Sequence, residues 1–169
     1  DSGRTRHATF LDYDGDGDLD LYALNQPPNP GNYSPLKGAN LKDIKYTSKL
    51  YRNDKNTFTD VTKEAGLLRT GFPNSVTASD LNDDGWTDLY VTHDYDAPDS
   101  YYVNNGDGTF TDKILEATGH ISFYSMGVDA GDINNDGLLD VMVLDMVAED
   151  NFRLKANMSG MDPNSFWKV

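Results

Sequence analysis

The chain has 169 residues, a length suited to one compact domain, with 37% hydrophobic residues and no cysteine; a packed core is feasible, while disulfides and thiolate metal sites are excluded. A formal net charge of −14 sets the chain against nucleic acid and anionic membrane surfaces, which would repel it. No apolar run approaches the ~18 residues of a membrane span and the segment carries no signal-peptide pattern; because it opens on Asp1 rather than Met, we expect a processed product or a piece of something longer.

In chain order, "HATF" (7–10) predicts a strand that runs into the acidic stretch "DYDGDGDLD" (12–20), and "DLDLYAL" (18–24) predicts the strand leaving it. The segment "NQPPNPGNYSPLKGANLKDIKYTSK" (25–49), rich in Pro, Gly and Asn, reads as a loop insertion between two strands. It is followed by "LYRNDKNTFTDVTKEAGL" (50–67). The order then starts again: "SVTAS" (75–79), the acidic "DLNDDGWTD" (80–88), "TDLYVTH" (87–93) and "YYVNNGDGTFTDKILEATGH" (101–120). It starts a third time with "MGVDA" (126–130), "DINNDGLLD" (132–140) and "LDVMVLD" (139–145). The exits are rich in β-branched and aromatic residues with a period near two. "NNGDGTF" (104–110) signals a hairpin, with Asn-Gly supplying positive φ. A helical turn is possible at "VTKEAG" (61–66) or "ILEATG" (114–119).

These are internal repeats. Asp80 to Asp132 is 52 residues and Leu50 to Tyr101 is 51, whereas Asp12 to Asp80 is 68, the excess of 16 falling in the insertion. About four short antiparallel strands per ~50 residues is the signature of a propeller blade. The expected architecture is all-β: about three four-stranded antiparallel blades, over residues 1–70, 71–120 and 121–169, the last incomplete. A closed propeller needs about 4–8 blades. We therefore expect a fragment of a larger closed propeller, the alternative being that other chains complete it.

Numbering each acidic loop from its first Asp, positions 1, 3, 5 and 9 are Asp12, Asp14, Asp16 and Asp20, then Asp80, Asn82, Asp84 and Asp88, then Asp132, Asn134, Asp136 and Asp140. Position 6 is Gly17, Gly85 and Gly137, permitting a sharp turn. A set of hard oxygens points to Ca²⁺, about three ions, one per repeat. The backbone carbonyl of position 7 (Asp18, Trp86, Leu138) and waters would complete six to eight ligands. An EF-hand loop begins the same way but needs a bidentate Glu at position 12 and an exiting helix. Position 12 here is Ala23, Val91 and Val143, and the exit reads as a strand. The plain alternative is three acidic turns without an ion. Two carboxylates ~4 Å apart at an effective dielectric of ~20 repel by roughly 4 kcal/mol, which makes that alternative costly.

The repeated D-x-[DN]-x-D-G-x-x-D followed by a strand, with "NNGDGTFTD" (104–112) and "LYRNDKNTFTDVTKEAG" (50–66), resembles the FG-GAP/VCBS repeat family. These are the blades of integrin α-subunit-like β-propellers and of many bacterial secreted or surface proteins. The resemblance covers nearly the whole chain and implies the propeller fold and Ca²⁺ binding; it says much less about activity. The Gly-Ala-Pro element of the family is missing, "DAPDS" (96–100) being a faint echo, and the third repeat has no "GDGTF" hairpin.

No catalytic constellation is read from the segment. His7, His93 and His120 are scattered without zinc-site spacing. Asp94, Asp96, Asp99, Glu149 and Asp150 read as solvated loop acids. Tyr33, Tyr46, Tyr95, Tyr101, Tyr102, Phe123, Tyr124 and Trp167 could stack on sugars, although alternation places several in blade cores. The expected function is a calcium-stabilised, non-catalytic scaffold or protein-binding module within a larger protein or surface complex. Its expected location is extracytoplasmic, secreted or at a bacterial cell surface. The alternative is a carbohydrate-binding module or the propeller portion of a polysaccharide-acting enzyme, with Tyr101 and Tyr102 as the aromatic platform.

Overall fold

The computed structural model describes residues 4–27, 46–94, 97–119, 122 and 124–146. Within them the chain is all-β apart from a single short helix, with three antiparallel sheets of four, four and two strands. The first sheet has the order β1-β2-β3-β4, built from β1 (Arg4–Leu11), β2 (Asp20–Gln26), β3 (Lys49–Asp54) and β4 (Thr57–Asp60). The second repeats it with β5 (Pro73–Ser79), β6 (Asp88–His93), β7 (Ser100–Asn104) and β8 (Phe110–Asp112). The third holds β9 (Ser125–Gly131) and β10 (Asp140–Asp145). This is the architecture expected of a propeller fragment.

Register is shared between repeats. Leu11 faces Asp20, Ser79 faces Asp88 and Gly131 faces Asp140, so every acidic loop closes over the same strand pair. The second strand then pairs with the third at Leu21↔Tyr51 and Leu89↔Tyr102. Strand β6 is buried at every position, because β5 and β7 flank it and neighbouring sheets cover its faces. The core lies between the first two sheets: Leu11, Tyr22, Leu24 and Leu50 meet Val76, Leu89, Val91 and Tyr102 in one cluster. Tyr13 and Phe110 extend it with rings stacked 6.1 Å apart.

Polar side chains stitch one sheet to the next. The Val76 N–H donates to His7 Nδ1 at 3.2 Å, and Gln26 Nε2 donates to the Pro73 carbonyl at 2.9 Å. Asn74 Nδ2 continues the series to the Ser125 carbonyl at 2.9 Å. Strand β2 thus runs through Asn25 and Gln26, two residues into the stretch expected to be insertion, and both side chains are buried and bonded. At its other end Lys49 already belongs to β3, and residues 28–45 of the stretch lie outside the described residues.

One turn differs in detail from its sequence signal, and one bears it out. In the β7–β8 connection the positive φ values belong to Gly106 (+71°) and Gly108 (+82°), not to Asn105. Asn105 instead bonds across the loop, its N–H donating to the Thr109 carbonyl. The helical turn occurs at α1 (Ile114–Ala117), while residues 62–66 form a turn closed by Leu67 N–H on the Thr62 carbonyl.

Candidate metal centre

Each acidic loop joins the first strand of its repeat to the second, and the wiring is the same in the second and third loops and nearly so in the first. The position 1 carboxylate turns inward and accepts backbone N–H groups. Asp12 takes Gly15 and Gly17 at 2.9 and 3.1 Å, Asp80 takes Asp84 and Gly85 at 3.1 and 2.8 Å, and Asp132 takes Asp136 and Gly137 at 3.1 and 2.9 Å. The position 5 carboxylate accepts the N–H of position 7: Asp18 on Asp16, Trp86 on Asp84 and Leu138 on Asp136, at 2.8, 2.9 and 2.9 Å. Position 9 accepts the N–H of position 2, namely Tyr13 on Asp20, Leu81 on Asp88 and Ile133 on Asp140.

The backbone makes this possible by turning left-handed twice. Gly17, Gly85 and Gly137 have φ near +90° (+87°, +91° and +87°), a region costly for any side chain. The second such position, position 4, was not singled out from sequence; it holds Gly15 (+76°), Asp83 (+60°) and Asn135 (+61°). Gly, Asp and Asn are the residues that tolerate this region best, and their recurrence in register was the available signal.

What gathers in the middle differs between loops. In the first, Asp12, Asp14 and Asp20 each bring a carboxylate oxygen within 4.8 Å of the others. Asp14 Oδ1 is shielded from solvent and has no hydrogen-bond partner. Burial, then the neighbouring Asp16 and Asp12, hold the Asp14 carboxyl above the usual carboxylate range. Burial does the same to Asp20 and Asp88. Asp16 lies outside that trio, tied to the Asp18 N–H, and Asp18 itself accepts the Lys55 N–H at 2.9 Å. In the second and third loops a neutral amide replaces Asp14: Asn82 Nδ2 donates to Asp84 at 2.8 Å and Asn134 Nδ2 to Asp136 at 3.0 Å. There the amide relieves the crowding of carboxylates that the first loop leaves unrelieved.

Outside the loops, two asparagines on the third strands back the position 9 carboxylates. The Asn53 N–H donates to Asp20 Oδ1 and the Asn104 N–H to Asp88 Oδ1, both at 2.8 Å. Their side chains reach the carbonyl just before position 9, Leu19 at 3.0 Å and Thr87 at 3.2 Å. Sequence reasoning passed over them, although "YRN" (51–53) and "YVN" (102–104) recur 51 residues apart. Position 12 lies in a strand each time, Ala23 in β2, Val91 in β6 and Val143 in β10, so no EF-hand helix follows any of the loops.

Several other expectations change. Asp99 is not a solvated loop acid: it is fully buried and accepts the His93 N–H at 2.8 Å and Ser125 Oγ at 2.9 Å. Strand β7 starts at the next residue and β9 closes over it, which removes the water. Of the proposed aromatic platform, Tyr102 is in the core, and the Tyr101 hydroxyl donates to Asp88 at 3.0 Å. Tyr33, Tyr95, Phe123, Trp167, His120, Asp96, Glu149 and Asp150 lie outside the described residues. A cleft of about 450 Å³ opens beside the first loop, lined by Tyr13, Asp14, Arg52, Glu64, Asp107 and Thr109.

A family model of the FG-GAP-like repeat matches the chain twice, over residues 12–91 and over 80–143. Each match begins on the first Asp of one acidic loop and ends in the strand that leaves the next, so the loop–strand unit described above is what the family preserves here. No curated protein matches the chain. Together the two matches run from Asp12 to Val143, far more than half of the sequence: the chain belongs to the FG-GAP-like repeat family.

Proposed function

We propose that this chain is a calcium-stabilised stretch of β-propeller that serves as an extracytoplasmic scaffold or protein-binding module within a larger protein or surface complex. The observation that carries the reading is the first loop, where three carboxylates converge to within 4.8 Å around a buried, unpartnered Asp14 Oδ1. At that separation and an effective dielectric of ~20 each pair of charges repels by roughly 3 kcal/mol, and a divalent cation at the centre turns the repulsion into attraction. Asp12, Asp14, Asp16 and Asp20, with the position 7 carbonyl of Asp18, would hold the ion in the first repeat. Asp80, Asn82, Asp84, Asp88 and Trp86 would hold it in the second, and Asp132, Asn134, Asp136, Asp140 and Leu138 in the third. Every donor is a hard oxygen, the chemistry that suits Ca²⁺.

The ion's role would be structural. The loop joins consecutive strands whose register it fixes, so a bound cation stabilises the folded blade by mass action. Calcium sites in extracellular modules bind at about 10⁻⁴–10⁻³ M, and such sites fill where calcium is millimolar and stay empty in cytosol. That favours a secreted or cell-surface location. The loops and the cleft beside them then form a rigid face for a protein partner. With Tyr102 in the core and Tyr101 bonded to Asp88, no observation favours the carbohydrate alternative. Calorimetric titration with CaCl₂ is expected to give heat saturating near three ions per chain; the absence of binding heat at millimolar calcium rejects the reading.

A further inference from the structure

The first two loops are wired to each other, and among the described residues the third is not. Asn104 sits on strand β7 with only 2% of its surface exposed. Its N–H donates to Asp88, a position 9 carboxylate of the second loop. Its side-chain amide donates to the Tyr13 carbonyl in the first loop at 2.8 Å, and to Thr87 in the second at 3.2 Å. The peptide of Tyr13 is in turn bound to the first loop's own carboxylate, through its N–H on Asp20 Oδ2 at 3.1 Å. A continuous path therefore runs Asp88–Asn104–Tyr13–Asp20 between the two sets of carboxylates.

Trp86 makes a second path by packing. Its backbone occupies position 7 of the second loop, with its N–H on Asp84. Its ring lies between Gly15 of the first loop and Gly106 of the β7–β8 turn. A Cβ at Gly15 would meet the ring at 3.0 Å and one at Gly106 would meet it at 2.8 Å. The ring thus packs directly against Gly15, whose N–H is held by Asp12. The third loop has neither device among the described residues: its position 7 side chain, Leu138, is 57% exposed.

We infer that the first two loops bind their cations as a coupled pair, with Asn104 and Trp86 carrying the coupling, while the third loop binds independently. This rests on the calcium reading above. Each ion draws its carboxylates and position 7 backbone inward; the Asn104 bonds and the Trp86 ring transmit that adjustment, so filling one loop pre-forms the other. Coupling of this kind is reciprocal and is worth about 5–150-fold in affinity.

The glycine amides report the loops separately in an NMR titration of the whole chain with CaCl₂, Gly17 for the first and Gly85 for the second. Disabling the second loop with Asp80→Asn and Asp84→Asn is expected to move the Gly17 midpoint to calcium concentrations at least about 5-fold higher. Disabling the third with Asp132→Asn and Asp136→Asn should leave it within about 2-fold, as expected of a loop outside the coupled pair. Asn104→Ala and Trp86→Leu each remove one of the two paths, so each is expected to shrink the shift of the Gly17 midpoint, and the two together to abolish it. A Gly17 midpoint that ignores the second loop in the otherwise native chain overturns the coupling while leaving calcium binding intact. Persistence of the full shift in the Asn104 and Trp86 variants overturns the assignment of the paths. Titration of neither amide rejects calcium binding itself, and the coupling with it.

Discussion

The second and third repeats carry nearly the same loop in different surroundings. Loop geometry is indistinguishable: Gly85 and Gly137 have φ of +91° and +87°, and the position 1 and position 5 carboxylates receive the same N–H groups. Beyond the loop the two diverge. Asp88 is fully buried and takes donors from Leu81, Asn104 and Tyr101, whereas Asp140 is partly exposed and, among the described residues, takes only Ile133. Leu89 is wholly buried in the strand that follows, while Val141 at the same place is 37% exposed. The loop is thus a local object, folded by its own glycines and carboxylates. What the four-stranded second sheet adds, among the described residues, is desolvation and a second layer of donors.

This contrast gives the largest expected mutational effect. Leu89→Ala empties a site packed from two sheets and should lower unfolding stability by about 2–5 kcal/mol, against less than about 0.5 kcal/mol for Val141→Ala, both read by urea denaturation. Equal losses at the two positions would mean that the third sheet is as well packed as the second.

Asn104→Ala comes next, at about 1–3 kcal/mol, since it takes the side-chain donor from the buried Tyr13 carbonyl and from the partly buried Thr87 carbonyl. Asn53→Ala, whose side chain donates to the Leu19 carbonyl and accepts the Asn56 N–H at 2.8 Å, both at exposed positions, should cost less in the same assay. A reversal of that order would place the two-loop contact outside the stability of the fold.

A smaller, pH-dependent effect should separate the second repeat from the third. His93 is buried, and its Nδ1 has no hydrogen-bond partner. Burial, then the Arg69 charge, push its pKa down to about 3. The folded state therefore takes up this proton far less readily than the unfolded chain, where His titrates near 6.5. Stability from neutral His93 is complete above pH ~6.5 and is lost as pH falls toward 3, by about 2 kcal/mol at pH 5. Neighbouring Asp99, held above the usual carboxylate range by burial, acts in the opposite sense, gaining relative stability as pH falls. Comparison of the native chain with His93→Phe isolates the histidine: the variant should lose less stability between pH 7 and pH 5. Parallel profiles would contradict the burial argument.

How far these features could be read from the sequence depends on their range. The loops were legible because everything that shapes them lies within nine residues, and the strands because alternation and turn residues are local signals. An incomplete third repeat was expected from the missing "GDGTF" hairpin; among the described residues its sheet has two strands. Asp99 was misjudged because an acid beside Pro98 looks like a surface turn; its burial comes from Ser125, 26 residues away. Tyr102 faced two assignments, sugar platform or core, and only the sheet packed against it decides. The Asn104 bond to Tyr13 spans 91 residues, beyond any periodicity argument.

The central claim is that the aspartate loops hold a divalent cation which stabilises the blades. Thermal unfolding of the whole chain in millimolar CaCl₂ and in excess EGTA tests it most directly. The account predicts a melting temperature markedly lower in EGTA and restored by added calcium but not by equal ionic strength of NaCl. Coincident melts in all three conditions would contradict it.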